Sequence, residues 1–327
     1  MTSHAPLQPP TAVIQLRNHI RRWFDASAAA SARSSLSWRD DPIDWTRVIP
    51  FVLMHIACLA VIVVGWSPVA LVAAAVTYTI RMFSITGFYH RYFSHRSFKT
   101  SRAAQFLFAA LGASAVQRGP IWWAAHHRHH HAHSDQHDDP HSPTQHGFIR
   151  AHMGWFLTRK GFEPDLRRVR DLSRYPELRW LDRFDILVPV LMAVVVFATG
   201  WILESKAPAL GTSRWQLLVW AFFVSTIVCY HCTYTINSLS HAFGRKRYVT
   251  DDESRNNWML ALITFGEGWH NNHHYYPASA RQGFYWWEID LTFYALRALA
   301  ALHIIWDLKA IPIEVRDARP MSRKDRP

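Results

Sequence analysis

The chain has 327 residues, of which half are apolar and 14% aromatic, and it contains 16 tryptophans and 21 histidines. Its length suits one large domain or two small ones. The formal net charge of +12 fits an anionic membrane surface or a phosphate-bearing substrate. Nucleic acid is not the expected partner, because the basic residues stand between long apolar runs and match no nucleic-acid motif.

The N-terminal residues 1–46 form a polar segment that we expect to be a cytosolic tail. Within it, residues 13–24 place apolar side chains among arginines, which predicts an amphipathic helix on the membrane surface. A solvated tail and a weak targeting peptide are the alternatives. An apolar core followed by a small-residue cleavage site is missing, so this segment does not resemble a secretory signal.

Four apolar stretches follow, at residues 48–66, 69–88, 186–203 and 215–236. Each is close to the roughly 20 residues that cross a hydrocarbon core as a helix, which satisfies its own backbone polar groups in lipid. Ser67 and Pro68 alone separate the first two, so we expect two hairpins of spans. The sequence thus predicts an all-α integral membrane protein, with a membrane domain at residues 47–312 and a polar tail at residues 313–327.

Two further apolar runs are less suited to spanning a membrane. Residues 103–116 are short and contain Gln105, so we interpret them as re-entrant or interfacial. Residues 285–305 are interrupted by Glu288, Asp290 and Arg297, and we expect them to lie flat in the interface.

The distribution of basic residues gives an orientation. Lysine and arginine are concentrated between residues 90 and 183 and are scarce in the connections at 66–69 and 204–214. The positive-inside rule therefore places the long loop and both termini in the cytosol.

Three histidine clusters lie on this same predicted side of the membrane: HRYFSH at 90–95, HRHHH at 127–131 and HNNHH at 270–274. A separate histidine stands four residues after Asn237. The candidate metal ligands are His90, His95, His127, His130, His131, His241, His270, His273 and His274.

The spacing within the second and third clusters is i, i+3, i+4, which places three imidazoles on one face of a helix. Asn237 and His241 are likewise one helical turn apart. His90 and His95 differ, because on a straight helix they would point about 140° apart at roughly 100° per residue. They need a helix end or a bend, or else they hold a metal ion from two sides.

Nine imidazoles exceed the roughly four to six ligands of one metal ion, so they predict two ions. Neutral imidazole suits iron, zinc, copper or nickel. Two tetrahedral zinc sites would be nearly closed, whereas iron with five or six positions leaves room for oxygen. A few of the histidines that crowd the second cluster are expected to orient ligands and most to face solvent: His126, His129, His133, His137, His141 and His146.

The remaining candidates have a structural interpretation. The lone His55 and His303 lie on apolar segments, where packing is favoured over ligation. Cys229 and Cys232 form a CxxC pair, which elsewhere would suggest zinc or redox chemistry. This pair lies in a strongly apolar stretch, so we interpret both as small buried side chains, and the total of three cysteines gives no disulfide framework.

The motifs HRYFSH, HRHHH and HNNHH resemble the three histidine boxes of the membrane fatty-acid desaturases, in particular the stearoyl-CoA (acyl-CoA Δ9) branch. NSLSH at 237–241 and GEGWHNNHHYYP at 266–277 are similar to further elements of that branch. The resemblance runs from about residue 51 to residue 311.

This resemblance implies four transmembrane helices under a cytosolic helical cap that holds a di-iron centre. The nine histidines would bind the two iron ions, with Asn237 reaching one of them through water, and purified recombinant protein could carry zinc instead. The acyl chain would thread into a bent tunnel between cap and membrane. Electrons would come from a separate protein such as a ferredoxin, a rubredoxin or cytochrome b5 with its reductase.

This sequence matches the family's substrate-contact residues at some positions and differs from them at others. Arg159 and Lys160 match a basic pair that meets the coenzyme A phosphates in the family, and Gln117 and Trp123 match head-group or tunnel-mouth residues. Departures from the family pattern occur at Arg118, at Ala125-His126 and at Tyr234. Fatty acyl-CoA is the expected substrate, with acyl carrier protein and a glycerolipid as alternatives.

The activity implied is O2-dependent desaturation of a long-chain saturated acyl thioester, at Δ9 and with a cis product, in a multi-pass protein of a bacterial inner membrane. Two alternatives stay open. A membrane hydroxylase of acyl chains or alkanes would use the same centre to insert oxygen. A metal transporter would need ligands near the bilayer midplane, whereas here the clusters lie outside the spans.

Overall fold

The computed structural model describes residue 17, residues 20–29 and residues 37–318. The helices of six or more residues in these ranges are α1 (Trp45–Val64), α2 (Pro68–Ser94), α3 (Arg102–Ala113), α4 (Pro120–His133), α5 (Pro176–Arg183), α6 (Leu187–Lys206), α7 (Arg214–His241), α8 (Trp258–Ile263), α9 (His270–Tyr275), α10 (Leu291–Ala301) and α11 (Ile313–Ala318).

Short helical turns fill the connections, at Ala26–Ala29, Pro143–His146, Arg150–Gly154, Trp155–Leu157, Arg159–Phe162, Leu166–Val169, Arg170–Ser173 and Pro208–Leu210. Strands β1 (Lys99–Thr100) and β2 (Ile305–Trp306) form an antiparallel pair in which Lys99 lies opposite Trp306. This pair ties the chain after α2 to the chain after α10.

The four predicted apolar stretches form helices α1, α2, α6 and α7, as expected. Each of these helices is long and apolar enough to cross a membrane. Helix α1 ends at Gly65, whose positive φ of 65° favours glycine. Helix α2 starts directly afterwards because the Ser67 hydroxyl accepts a hydrogen bond from the Ala70 amide and Pro68 takes the first helical position. Ser213 and Gln216 form a capping box at the start of α7.

Helix α7 is the common neighbour of the other three spans. A small apolar core of Ala70, Val196, Leu217 and Ala221 joins α2, α6 and α7. Close approach of α6 and α7 requires Gly200, because a Cβ there would lie 2.6 Å from the Cα of Arg214. Large apolar side chains on the outward faces of the spans are exposed, as suits contact with lipid.

The main core lies beyond the spans, between the end of α2 and helices α3, α4 and α5. Residues 103–116, expected to be re-entrant or interfacial, form most of α3 and pack here. The Phe108 ring stacks on Phe88 with centroids 3.8 Å apart. Gly112 allows this approach, since a Cβ at that position would lie 2.0 Å from the Tyr89 ring.

The two ends of the chain add packed segments around this core. Residues 20–24 are helical, and the Trp23 indole donates to the Thr46 carbonyl over 2.7 Å. The predicted amphipathic helix at residues 13–24 and the polar tail at residues 313–327 lie partly outside the described residues. In the 285–305 run, the helix begins only after Asp290, whose side chain accepts a hydrogen bond from the Phe293 amide.

Candidate metal centre

The structure brings all nine predicted histidines together in two neighbouring groups. Within each group, one ring nitrogen from every histidine lies within 4.8 Å of those from the others. The first group, which we call site A, consists of His90, His95, His127, His131 and His273. The second group, site B, consists of His130, His241, His270 and His274.

A π-helical segment at Ser84–Ser94 places both histidines of the first cluster in site A. A π-helix bonds residue i to residue i+5, so residues five apart stand over one another. The His95 amide accordingly donates to the His90 carbonyl over 3.2 Å. The sequence analysis expected a helix end or a bend at this point, and the structure has a π segment instead. The five-residue spacing of the two histidines was the signal for it.

Helix α4 divides its histidines between the two sites. His127 and His131, one turn apart, face site A, and His130 faces site B. The start of α4 is held by a distant carboxylate, because the Trp122 amide donates to Asp182 over 2.8 Å. Gly119 permits this contact, since a Cβ there would lie 2.4 Å from the Asp182 Cα.

Helix α9 also contributes to both sites, with two histidines in site B and one in site A. His270 and His274 face site B and His273 faces site A. The two intervening asparagines are fully buried and fix the helix in place. Asn271 accepts hydrogen bonds of 2.7 Å from the amides of residues 247 and 248, and Asn272 donates to Glu288 over 3.0 Å. Since α4 and α9 both contribute to both sites, the two sites are adjacent.

Buried carboxylates orient four of the nine rings, and the sequence analysis did not identify them. Each accepts a hydrogen bond from a histidine Nδ1: Asp139 from His130 (2.9 Å), Asp135 from His241 (2.7 Å), Asp252 from His274 (2.5 Å) and Glu267 from His90. This places the hydrogen on Nδ1 and leaves the Nε2 lone pair facing the site, the usual arrangement of metal-binding histidines. For Asp135 and Asp139, the acid-rich segment that follows HRHHH was a signal in the sequence.

The nitrogen positions fit a metal ion. His273 Nε2 lies 3.0 Å from His90 Nε2 and 2.9 Å from His131 Nε2, and in site B the Nε2 atoms of His241 and His270 are 3.0 Å apart. Two imidazole nitrogens about 2.1 Å from one ion and at right angles would be about 3.0 Å apart.

Hydrogen bonds alone do not explain this arrangement. A single hydrogen on His273 Nε2 cannot serve both neighbouring rings, and the His90 hydrogen lies on Nδ1, toward Glu267. In site B, His274 Nε2 is buried and has no hydrogen-bond partner among the described residues. A cation is what satisfies such converging lone pairs.

Burial keeps most of these rings neutral, as ligation requires. Removal from water lowers the pKa well below the ordinary 6.5 for His95, His127, His131, His270 and His273. Burial lowers the pKa of His274 to about 4. Burial also disfavours the charged form of His130, but the charge and hydrogen bond of Asp139 raise its pKa above 6.5 overall.

Asn237 and a small cavity lie between the sites. The cavity of about 40 Å³ is lined by Asn237 together with His90 and His127 of site A and His130 and His270 of site B. This volume has room for water. The predicted water-mediated role of Asn237 stays a prediction, and its position suits that role.

A second cavity of about 600 Å³ reaches the same place, since His127 and Asn237 line it too. Its walls are mainly apolar side chains of α1, α6 and α7. The predicted substrate contacts Gln117, Arg118, Trp123 and Tyr234 all line it. The Trp123 ring also stacks on His127, with centroids 5.0 Å apart.

Arg159 and Lys160, the other predicted substrate contacts, are not among the described residues that line this cavity. Arg159 is exposed. The Lys160 ammonium lies 4.6 Å from the centre of the Trp38 ring, and the Lys160 amide donates to Asp41. Their role in binding coenzyme A stays a prediction.

Several histidines near the second cluster differ from the expectation that most face solvent. His126 and His141 are buried and line the large cavity, whereas His137 is exposed. His55 hydrogen-bonds to His231 over 3.2 Å rather than packing alone. Cys229 is buried and free, as predicted for both cysteines of the pair, whereas Cys232 is free but only partly buried.

Replacing Asp252 with asparagine should weaken metal binding at site B. The amide removes the charge that holds the His274 ring, and such changes typically cost about 10–100-fold in affinity. Titration of the purified, metal-free protein with Fe2+ or Zn2+ against a competing chelator measures the effect. Asp251→Asn is the matched control, because Asp251 is the exposed neighbour. Equal affinities for the two variants would contradict the assigned role.

The comparisons with known proteins agree with this geometry. Residues 65–307 match the family model of fatty acid desaturases. The chain is 34% identical to a chloroplastic palmitoyl-monogalactosyldiacylglycerol delta-7 desaturase of Arabidopsis thaliana, covering 98% of this chain and 88% of the relative. It is 35% identical to an acyl-CoA 5-desaturase of Anemone leveillei (83% of this chain, 81% of the relative). It is 34% identical to an sn-1 stearoyl-lipid 9-desaturase of Anabaena variabilis (82% of this chain, 94% of the relative).

Three findings thus lead to one assignment: the histidine clusters that can hold metal, the four apolar helices and the family match over most of the chain. The protein belongs to the fatty acid desaturase family.

Proposed function

We propose that this protein is a multi-pass membrane enzyme that introduces a cis double bond, at Δ9, into a long-chain saturated fatty acyl group. The observation that carries the proposal is that a large, mainly apolar cavity reaches site A. His127 belongs to site A and lines that cavity, so a chain lying in it would pass beside the metal-binding side chains.

Iron is the proposed metal at both sites, held by the nine histidines. The chemistry that two iron ions supply when bound is the oxidation of an unactivated methylene with O2, which no side chain can achieve. Overall, the acyl chain loses two hydrogen atoms and O2 is reduced to two waters, with two electrons from a carrier protein and two protons from solvent. A ferredoxin, a rubredoxin or cytochrome b5 with its reductase is the proposed class of donor.

The protein contributes position and the exclusion of water. The carboxylates hold Nδ1 hydrogens on four rings, which keeps the Nε2 atoms directed at the sites. The apolar cavity walls hold the chain without competing water. Trp123 stacks on His127 and forms cavity wall, so it fixes the distance between the chain and site A.

The proposed topology has two hairpins of spans, α1–α2 and α6–α7, under a helical cap that contains both histidine sites. The short connection at residues 65–67 supports the first hairpin. The concentration of basic residues between 90 and 183 supports a cytosolic cap and cytosolic termini, in a bacterial inner membrane.

A hydroxylase is the second candidate, because the same centre could insert oxygen into an acyl chain or alkane. The family match favours desaturation. A metal transporter is disfavoured, since six of the nine histidines lie on α4 and α9, outside the four apolar spans. His90 and His241 lie near the last residues of α2 and α7, away from the middle of those spans.

Expression in a host that lacks its own desaturase tests the proposal. We expect monounsaturated chains in the host lipids, with the double bond located at carbon 9 by mass spectrometry of derivatised esters. Hydroxylated chains would support the hydroxylase, and unchanged lipids despite iron-loaded, folded protein would overturn the proposed function.

A further inference from the structure

The large cavity is bordered by two spans that do not close over it. Ile49 and Leu53, one turn apart on α1, line the cavity and are nevertheless 45% and 56% exposed. Val190 and Val194, one turn apart on α6, also line it and are 50% and 57% exposed. The back wall comes from α7, through residues such as Tyr230 and Tyr234. The two exposed pairs therefore form the rims of a slot between α1 and α6.

The slot opens toward the bilayer in the proposed topology. Both rims lie within apolar spans, and Leu53 is eight residues into α1, about 12 Å along the helix axis. At that depth the surrounding medium is the hydrocarbon of the membrane. An acyl chain could thus move from the lipid phase into the cavity without passing through water.

The protein's own N-terminal segment forms another part of the cavity wall. Trp23 and Phe24 line the cavity there, and Trp23 is fixed by its hydrogen bond to the Thr46 carbonyl. Arg183 binds Asp25 through two hydrogen bonds of 3.0 and 2.8 Å, which hold this segment against the end of α5. Access from the cytosolic side would require this segment to move.

The N-terminal segment also contacts the basic pair expected to bind coenzyme A, although the Arg159 side chain is exposed. The Lys160 ammonium lies over Trp38, the Lys160 amide donates to Asp41 over 2.6 Å, and the Arg159 amide donates to the Pro42 carbonyl over 3.1 Å. Neither residue of the pair is among the described residues that line the cavity, so the pair does not supply a phosphate contact at the cavity itself.

Arg47 supplies a different site for phosphate, at the cavity itself. It lies two residues into α1, lines the cavity, and its Cζ is 3.5 Å from the centre of the Phe162 ring. Arg118 lies 3.7 Å from the same ring but is paired with Asp185. The carboxylates near Arg47 are Asp44 and Asp185, and they are paired with Arg22 and Arg118. Arg47 Nε and Nη2 are buried without a hydrogen-bond partner among the described residues, so this guanidinium keeps donors for an anion.

We propose that the acyl chain enters this cavity sideways from the bilayer, through the slot between α1 and α6, while it is esterified to a phosphate-bearing membrane glycerolipid. Arg47, at the end of the first span, binds the lipid phosphate, and the chain extends past Leu53 and Val194 to site A. This inference rests on the proposed function and names its substrate as a phospholipid rather than a coenzyme A thioester.

A labelling experiment in the desaturase-deficient host tests the substrate. Phospholipids are first labelled with deuterated stearoyl chains, the label is removed, and expression is then induced in unlabelled medium. We expect deuterated monounsaturated chains in the pre-existing phospholipid. Unsaturation confined to newly made, unlabelled chains would overturn the phospholipid assignment in favour of a thioester. Absence of unsaturation from both pools would instead count against the proposed function.

Closing the slot tests the route. Val194→Trp places an indole in the slot and should lower unsaturation of labelled phospholipid about tenfold or more, with unchanged iron content. Val195→Trp is the matched control, because Val195 is 53% exposed on the same helix but is not among the residues that line the cavity. It should stay within about twofold of the original protein, and equal activity of the two variants would overturn the route.

Changing Arg47 tests the head-group contact. Arg47→Gln should raise the amount of labelled phospholipid needed for half-maximal conversion. Arg47→Lys retains the charge, so it should keep this amount close to that of the original protein. If Arg47 has only a structural role, Arg47→Gln would instead lower the amount of folded protein, and Arg47→Lys would not restore conversion. That result would remove Arg47 from the site.

Discussion

Replacement of His273 with alanine is expected to abolish double-bond formation and to lower the iron bound by the purified protein from two ions per chain to one or fewer. His273 Nε2 lies within 3.0 Å of the Nε2 atoms of both His90 and His131, so it belongs to the centre of site A. Its removal leaves four histidines in that site. Iron analysis of the purified variant and fatty-acid analysis of expressing cells measure the two effects.

The control for this prediction is His137→Ala. His137 follows α4 in the sequence, is exposed and belongs to neither site. It should retain both iron and product. Size-exclusion chromatography establishes that the His273 variant is folded, and a folded variant with normal iron and normal turnover would remove His273 from the metal-binding residues.

Replacement of Arg91 with leucine is expected to lower the free energy of unfolding by about 3–5 kcal/mol, the range for breaking a buried ion pair from one side. Arg91 follows His90 directly, and its side chain is 1% exposed. It contacts Glu267 at 3.1 Å and Asp290 at 3.0 Å, both buried. Without Arg91, two carboxylates are left in the interior, and Glu267 is also the partner of His90.

The control here is an exposed arginine pair of similar geometry. Arg102 binds Glu177 through two hydrogen bonds of 2.7 and 2.8 Å, but its side chain is 64% exposed. Arg102→Leu should cost no more than about 1 kcal/mol. Thermal unfolding in detergent, followed by loss of the monodisperse peak, compares the two variants. Equal midpoints for Arg91→Leu and the original protein would show that burial of this cluster does not stabilise the fold.

Much of the fold could be predicted because its signals are local. The four spans follow from apolar runs of the required length, and the boundary between the first two follows from Ser67 and Pro68. The grouping of the imidazoles of the second and third clusters on one side of a helix follows from helical spacing alone. Six of the nine candidate histidines were identified in this way, because imidazoles at i, i+3 and i+4 share a face wherever the helix lies, whereas His90, His95 and His241 were identified from their own short motifs.

Features that depend on long-range contacts could not be predicted. Asp135, Asp139, Asp252 and Glu267 orient histidines that are as much as 177 positions away, as for Glu267 and His90. The acid-rich segment after HRHHH indicates that Asp135 and Asp139 lie near the second cluster, but nothing in the local sequence shows which histidine each of the four carboxylates contacts. The same applies to Asp182, which caps α4 from 60 positions away.

The sequence by itself therefore determined which residues cross the membrane and which imidazoles can bind metal, because helical periodicity and hydrophobic length act over a few turns of chain. Only the tertiary structure decided how those imidazoles are shared between sites A and B, which carboxylates hold them, and that α1 and α6 leave a slot beside the cavity. Those outcomes depend on how separate helices approach one another, and side-chain volume and buried charge set that approach across the whole fold.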